Sequence, residues 1–256
     1  MDSVRTGDTL LFSNNSPTGF LLRIATRSSW SHVGVAVRVL KHENEDGLRI
    51  SLDTQGELCI LEISTYSRYD IFTDRETVGA ALTPFDLIKS QHNIIGVRRL
   101  KEKYRTQEFA EQILPFLRRY SSCQFTSYPL EFVQVWTGLP FLGKYRNDEL
   151  FCTELVVKFY DECANIPLLY GDDSYEASYM YRPCDFVKEF SDTPFAPLQR
   201  EDLYLYQDEG DPGMIFLPPL VLGTAIFLII VLLLFILSGI EKYRRTKQWK
   251  DIITLV

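Results

Sequence analysis

No charged residue occurs between Pro212 and Ile240, and the 21 residues from Leu220 to Ile240 are almost wholly aliphatic. As a helix at about 1.5 Å per residue that stretch reaches roughly 31 Å, against a hydrocarbon core of about 30 Å. A soluble core helix of such length presents a polar face, and this one has none. The run predicts one transmembrane helix over 214–240, so whatever globular fold the chain adopts must be built from the residues before it. The expected organisation is a globular domain over 1–205, an acidic juxtamembrane linker over 206–213, the span, and a basic tail over 241–256.

A chain of 256 residues, 46% of them hydrophobic, has room for one substantial core plus appendages. Its formal net charge of −7 is unevenly placed. The tail holds Lys242, Arg244, Arg245, Lys247 and Lys250 against Glu241 and Asp251, so the remainder carries −10. An acidic domain without a basic patch argues against a nucleic-acid partner, because phosphate binding depends on clustered Lys and Arg.

Two arguments about topology conflict. Basic residues directly after the span would place the tail in the cytoplasm and the domain outside. Yet Met1 to Asp8 has no apolar stretch of signal-peptide length, and the span emerges only after the whole domain has been made. The expectation is therefore a single-pass, tail-anchored protein with its domain in the cytosol, the opposite orientation being the alternative. The five cysteines, Cys59, Cys123, Cys152, Cys163 and Cys184, are odd in number, scattered and without a CxxC pair. That spacing argues against zinc and against a disulfide scaffold, agrees with a reducing compartment, and calls for no metal or cofactor.

Within the domain, Ser31-His32-Val33-Gly34-Val35-Ala36-Val37-Arg38-Val39 is a β-branched run that reads as a central strand buried on both faces. Thr9 to Phe12 reads as a short strand ahead of it, and Thr18 to Thr26 as a short helix between them. Leu48 to Leu52, Glu57 to Ile63, Val78 to Leu82 and Asn93 to Leu100 are strand-like, giving a sheet of five or six strands. The period then changes: Phe109, Ile113, Phe116, Leu117 and Tyr120 share one helical face. Phe125 to Leu142 reads as helix plus loop, and Asn165 to Pro183 as loop. Asn147-Asp148 can cap a helix carrying Cys152, Leu155, Val156, Phe159, Tyr160 and Cys163. Asp185 to Phe190 reads as a short helix and Leu203 to Leu205 as a last strand.

The chemistry concentrates on two residues. A histidine where a buried strand emerges is held rigidly near the surface, as a general base requires, although a lone His at a strand end is more often structural. A cysteine at a helix N-terminus feels the positive end of the macrodipole, which favours thiolate. Together the two types make a nucleophile–base pair able to attack a carbonyl. Of the five cysteines only Cys152 has that expected position; Cys163 falls on nearly the same face three turns later and reads as core. His42 and His92 lie in polar turns and read as solvated. Trp30, beside His32, reads more readily as packing than as a cleft wall.

Four motifs then resemble a family in their order along the chain: Gly7-Asp8-Thr9-Leu10-Leu11-Phe12, Ser31-His32-Val33-Gly34-Val35, Leu61-Glu62-Ile63 and Phe151-Cys152-Thr153-Glu154-Leu155-Val156. The chain resembles circularly permuted papain-like cysteine hydrolases, the permuted branch of the NlpC superfamily that includes the bacterial YiiX-like group and poxvirus relatives. The likeness covers roughly residues 5 to 190. It implies an α+β fold of papain-like type in permuted order, with an antiparallel sheet or half-barrel packed on the cysteine helix. It implies Cys152 as nucleophile, His32 as base, and a polar residue orienting the imidazole, matched by Glu62, with Asp53 and Glu57 as nearby alternatives. The oxyanion would be held by the Cys152 backbone N–H and one further donor.

The function implied is a membrane-anchored thiol hydrolase acting on an amide- or ester-containing substrate, a lipid or a membrane-bound protein among them. The lecithin-retinol acyltransferase-like group also resembles this plan, but the present Phe-Cys-Thr-Glu-Leu-Val departs from its Asn-Cys-Glu-His-Phe-type motif, so lipid acyl transfer is the second reading. A non-catalytic lipid- or protein-binding module on the same fold is the third.

Overall fold

The computed structural model describes residues 1–13, 23, 28–41, 47–92, 94–126, 148–166, 181–187, 194–197, 199 and 202–205. The chain divides into two compact units, Met1–Asp208 and Glu209–Val256, and the description concerns the first. The span expected over 214–240 lies outside the described residues. Among those described, no helix is long and apolar enough to cross a membrane. The helix expected over 18–26, most of the segment from 125 to 142 and most of the loop from 165 to 183 also lie outside them.

The strands are β1 Thr9–Ser13, β2 His32–Lys41, β3 Leu48–Ser51, β4 Glu57–Asp70, β5 Arg75–Pro84, β6 Ile94–Arg98, β7 Gln124–Phe125, β8 Glu149–Leu150 and β9 Leu203–Leu205. The α-helices are α1 Phe85–Ile88, α2 Gln107–Tyr120 and α3 Cys152–Ala164. Among the described residues this is a mixed α+β architecture. Seven strands make one antiparallel sheet in the order β5-β4-β2-β1-β6-β9, with β3 beside β2, while β7 and β8 form a small parallel pair.

Strand β2 lies at the centre, buried on both faces from Val33 to Val39. Val33, Val35, Val37 and Val39 point into the larger core with Leu11, Leu61, Ile63 and Leu82, against α2 and α3. Ala36 points the other way, into a second core with Leu10, Phe12, Ile60, Ile95 and Val97, closed by Phe85 and Ile88 of α1. Strand β1 pairs with the first half of β2 and β3 with its second half, while β4 takes the other edge.

Helix α2 begins where Thr106 accepts a hydrogen bond from the Phe109 N–H at 3.2 Å. Its apolar face meets α3 edge-on: Phe159 packs at 5.7 Å from Phe109 and 5.4 Å from Phe116, close to perpendicular in both cases. Helix α3 is in turn tied to the sheet by the Tyr160 hydroxyl, which donates to the Gly7 carbonyl at 2.7 Å and shares a 2.6 Å hydrogen bond with Thr9. That anchor sets where the first turn of α3, with Cys152, sits.

Three expectations are corrected. The sheet has seven strands rather than five or six, because the short β9 joins its edge beside β6, and β4 and β5 run well past their apolar segments. Ser64 to Asp70 pairs with Arg75 to Gly79 across a turn in which Asp74 adopts a left-handed φ of 53°. That half of the hairpin is largely exposed and polar, so it has no apolar alternation to reveal it. Asp148 does not cap α3: the Gln124 N–H donates to its carbonyl at 3.1 Å and Glu149–Leu150 is extended, so the helix starts at Cys152 with Phe151 as N-cap, whose side chain makes no cap hydrogen bond; Asn147 lies outside the described residues. After Pro183 a 3₁₀ turn, Pro183–Val187, stands where a short helix was expected, and residues 188–190 lie outside the description.

Candidate active site

His32 is the first residue of β2, opposite Phe12 of β1. Strand alternation places it on the same face as Gly34 and Ala36. On β4 the residue across from Gly34 is Glu62, since Val35 pairs with Leu61. A Cβ at Gly34 would lie 2.7 Å from Ile60 Cγ2, 3.0 Å from the Leu61 carbonyl and 3.5 Å from Glu62 Cβ. The missing side chain is what lets β4 approach closely enough for Glu62 to reach past it to the histidine.

His32 Nε2 donates to Glu62 Oε2 at 2.7 Å, with the two side chains 17% and 2% exposed. That leaves Nδ1 for the Cys152 thiol, which is within hydrogen-bonding reach of the ring. Cys152 is half-buried at the first position of α3, whose N-cap residue, Phe151, makes no side-chain cap hydrogen bond. The three candidate residues, distant in sequence, therefore form one row.

The electrostatics of the row are consistent with its geometry. Burial disfavours a charged imidazole, but attraction and hydrogen bonding to Cys152, followed by the same from Glu62, outweigh it and raise His32 from 6.5 to about 10. Burial also disfavours the Glu62 carboxylate. The hydrogen bond and charge of His32, and then the charge of Arg68, bring it below its ordinary value, so it is ionised at neutral pH.

The alternatives to Glu62 are excluded by exposure. Asp53 is a surface residue 3.7 Å from Arg5, and Glu57 is exposed at the start of β4. Trp30 is buried, its indole seated where a Cβ on Gly96 would meet it at 2.7 Å, and so has the packing role. Cys59, Cys123 and Cys163 are buried, and burial pushes the Cys163 thiol up. The Cys184 side chain lies outside the described residues. Asp8, from the Gly-Asp motif, is fully buried and structural: it accepts from the backbone N–H groups of Arg5 and Leu100, both at 2.9 Å, and pairs with Arg99 and Arg105.

Two residues escaped sequence reasoning. His92 was expected in solvent, but it is 6% exposed. It precedes β6, packs on Phe12 at 4.4 Å, and lies parallel to the His32 ring with centroids 6.4 Å apart. Burial and the charge on His32 lower it to about 4, so it is neutral. It lies two residues ahead of β6, a position close to that which singled out His32 at the start of β2, and the polar residues around it hid the signal. Arg68 is the second: its Nε lies 3.3 Å from Glu62 Oε1. His42 lies outside the described residues. Among those described, no group of three or more His, Cys, Asp or Glu is arranged to hold a metal ion.

No family model matches the chain, and no curated protein matches it. Among solved structures it is similar to the crystal structure of the metalloprotein yiiX from Escherichia coli O157:H7, DUF1105, with a TM-score of 0.42 and 17% identity over 65% of this chain and 69% of that one. A likeness this distant does not assign the chain to a family.

Proposed function

We propose that this protein is a membrane-anchored thiol hydrolase, amidase- or peptidase-like, that works through an acyl-enzyme on Cys152. The observation that carries the reading is a single imidazole that holds Glu62 Oε2 at 2.7 Å on Nε2 and is raised by the neighbouring Cys152. In the proposed cycle the proton of the thiol rests on His32 Nδ1 and the thiolate attacks the substrate carbonyl carbon. The negative charge that develops on the carbonyl oxygen is met by the Cys152 backbone N–H at the start of α3. Collapse breaks the carbon–nitrogen or carbon–oxygen bond, the leaving group takes the proton from His32, and a thioester remains. Neutral His32 then deprotonates water, which attacks the thioester; the acid is released and the thiol is restored. Glu62 keeps the imidazole oriented throughout and stays ionised.

The chain order, histidine strand before carboxylate strand before cysteine helix, supports the finer reading of a permuted papain-like fold of the NlpC superfamily. The aliphatic run over 214–240 supports a membrane anchor, and with it a substrate at or in the bilayer.

The test is activity-based labelling of the wild type and Cys152→Ala with amide-type and ester-type acyl probes. Labelling by one class that disappears in Cys152→Ala is expected, and Glu62→Gln should slow it by about 10²-fold. Preference for the ester probe would favour lipid acyl chemistry. Labelling that persists without Cys152 would remove the nucleophile assignment.

A further inference from the structure

A buried carboxylate persists in its charged form only when it is paired on more than one side. Glu62 spends Oε2 on His32, so the partner of Oε1 matters. That partner comes from the same strand, six residues on. In a regular strand the Cα atoms of residues 62 and 68 would be roughly 20 Å apart at about 3.3 Å per residue, beyond the span of the two side chains. The β4–β5 ladder slips between Ser64 and Arg68, and an irregularity of this kind bends a strand and re-aims its side chains. Arg68 is thereby turned back toward Glu62, with Nε 3.3 Å from Oε1 and its side chain 14% exposed. The contact is an ion pair rather than an aligned hydrogen bond, since neither atom has a hydrogen-bond partner. Its guanidinium also lies 5.8 Å from the centre of the Tyr66 ring, which is 62% exposed.

We infer that Arg68 is a positioning residue of the candidate site: it holds the Glu62 carboxylate charged and turned so that Oε2 faces His32. The inference rests on the hydrolase reading above. It completes a row in which the signs alternate from the Cys152 thiolate through His32 and Glu62 to Arg68, with neutral His92 alongside. Without Arg68 the buried row would carry an uncompensated negative charge, and Glu62 would be free to turn its charge elsewhere.

The experiment is a titration of the imidazole nitrogens by NMR on the full-length, ¹⁵N-His-labelled chain in detergent, which has only three histidines to resolve. Wild-type His32 should titrate at about 10, and Glu62→Gln fixes the value without the carboxylate. Arg68→Met should lower His32 by about 1 unit toward the Glu62→Gln value. Simple removal of a nearby positive charge would raise it instead, so the sign separates the two effects. Arg68→Lys, which keeps the charge but not the fork, should fall between wild type and Glu62→Gln, and it decides the matter if Arg68→Met does not fold. His32 unchanged or raised in the variants would overturn the inference. Because the titration reads His32 directly, failure of acyl labelling removes the hydrolase reading, whereas failure of the shift removes the role of Arg68.

Discussion

A neutral imidazole beside a charged one is a pH-dependent element of stability, and His92 is placed to act as one. Its folded value of about 4 lies below the ordinary 6.5. Between those values the unfolded chain binds the proton and the folded chain does not, so stability falls as the pH drops from about 6.5 to about 4, by about 3 kcal/mol at the limit. His32, protonated in the folded chain throughout, loses its proton in the unfolded chain as the pH rises through 6.5, so it adds an opposite slope near and above 6.5 and almost none well below it. Glu62, whose folded value is lowered, adds a further loss only as the pH falls below its ordinary 4.5. Urea midpoints measured between about pH 4.5 and about pH 5.5, where neither His32 nor Glu62 changes its proton differently in the two states, should show the slope in the wild type and lose it in His92→Phe, which keeps an aromatic ring against Phe12. A variant with an undiminished slope would show that another group binds the proton. At this scale Cys152 and His32 were legible from position alone, one expected at a helix start and one at a strand mouth. Residue type and position did not separate Asp53, Glu57 and Glu62, and only the resemblance favoured Glu62, because which carboxylate faces His32 depends on the pairing of β2 with β4.

The site's histidine comes from β2, and Gly34 is the position where that strand's backbone must stay bare. A methyl group there would press on Ile60 Cγ2 and the Leu61 carbonyl, pushing β4 outward at Glu62. Gly34→Ala should cost about 1–3 kcal/mol and should also slow alkylation of Cys152 by iodoacetamide, since the His32–Glu62 contact lengthens. Thermal unfolding and the alkylation rate check the two parts, and a destabilised variant with wild-type alkylation would mean that β4 yields without moving Glu62. Elements with strong periodicity were readable in advance: the valine run of β2, the aromatic face of α2 and the apolar face of α3. The long β4–β5 hairpin and the β7–β8 pair were not, because short or exposed strands are held by a partner rather than by burial of their own side chains.

For the molecule as a whole, the aliphatic run and the domain make separate predictions. The full chain should require detergent for extraction from membranes, and a chain ending at Asp208 should partition into the soluble fraction. In sealed vesicles carrying the native orientation, the tail-anchored arrangement predicts that protease added from the cytosolic side digests the domain; protection of the domain would favour the opposite topology.

Sequence alone was sufficient wherever a property follows from local pattern. It marked the uncharged run of membrane length, the central strand with a histidine at its mouth, and the helix with a cysteine in its first turn. These depend on periodicity and on residue type within a dozen positions. Only the tertiary structure could set Glu62 against His32, bury His92 beside it and turn Arg68 back onto Glu62. Each of these depends on strand register or on a break in it, and a slip of one residue reverses which face a side chain occupies.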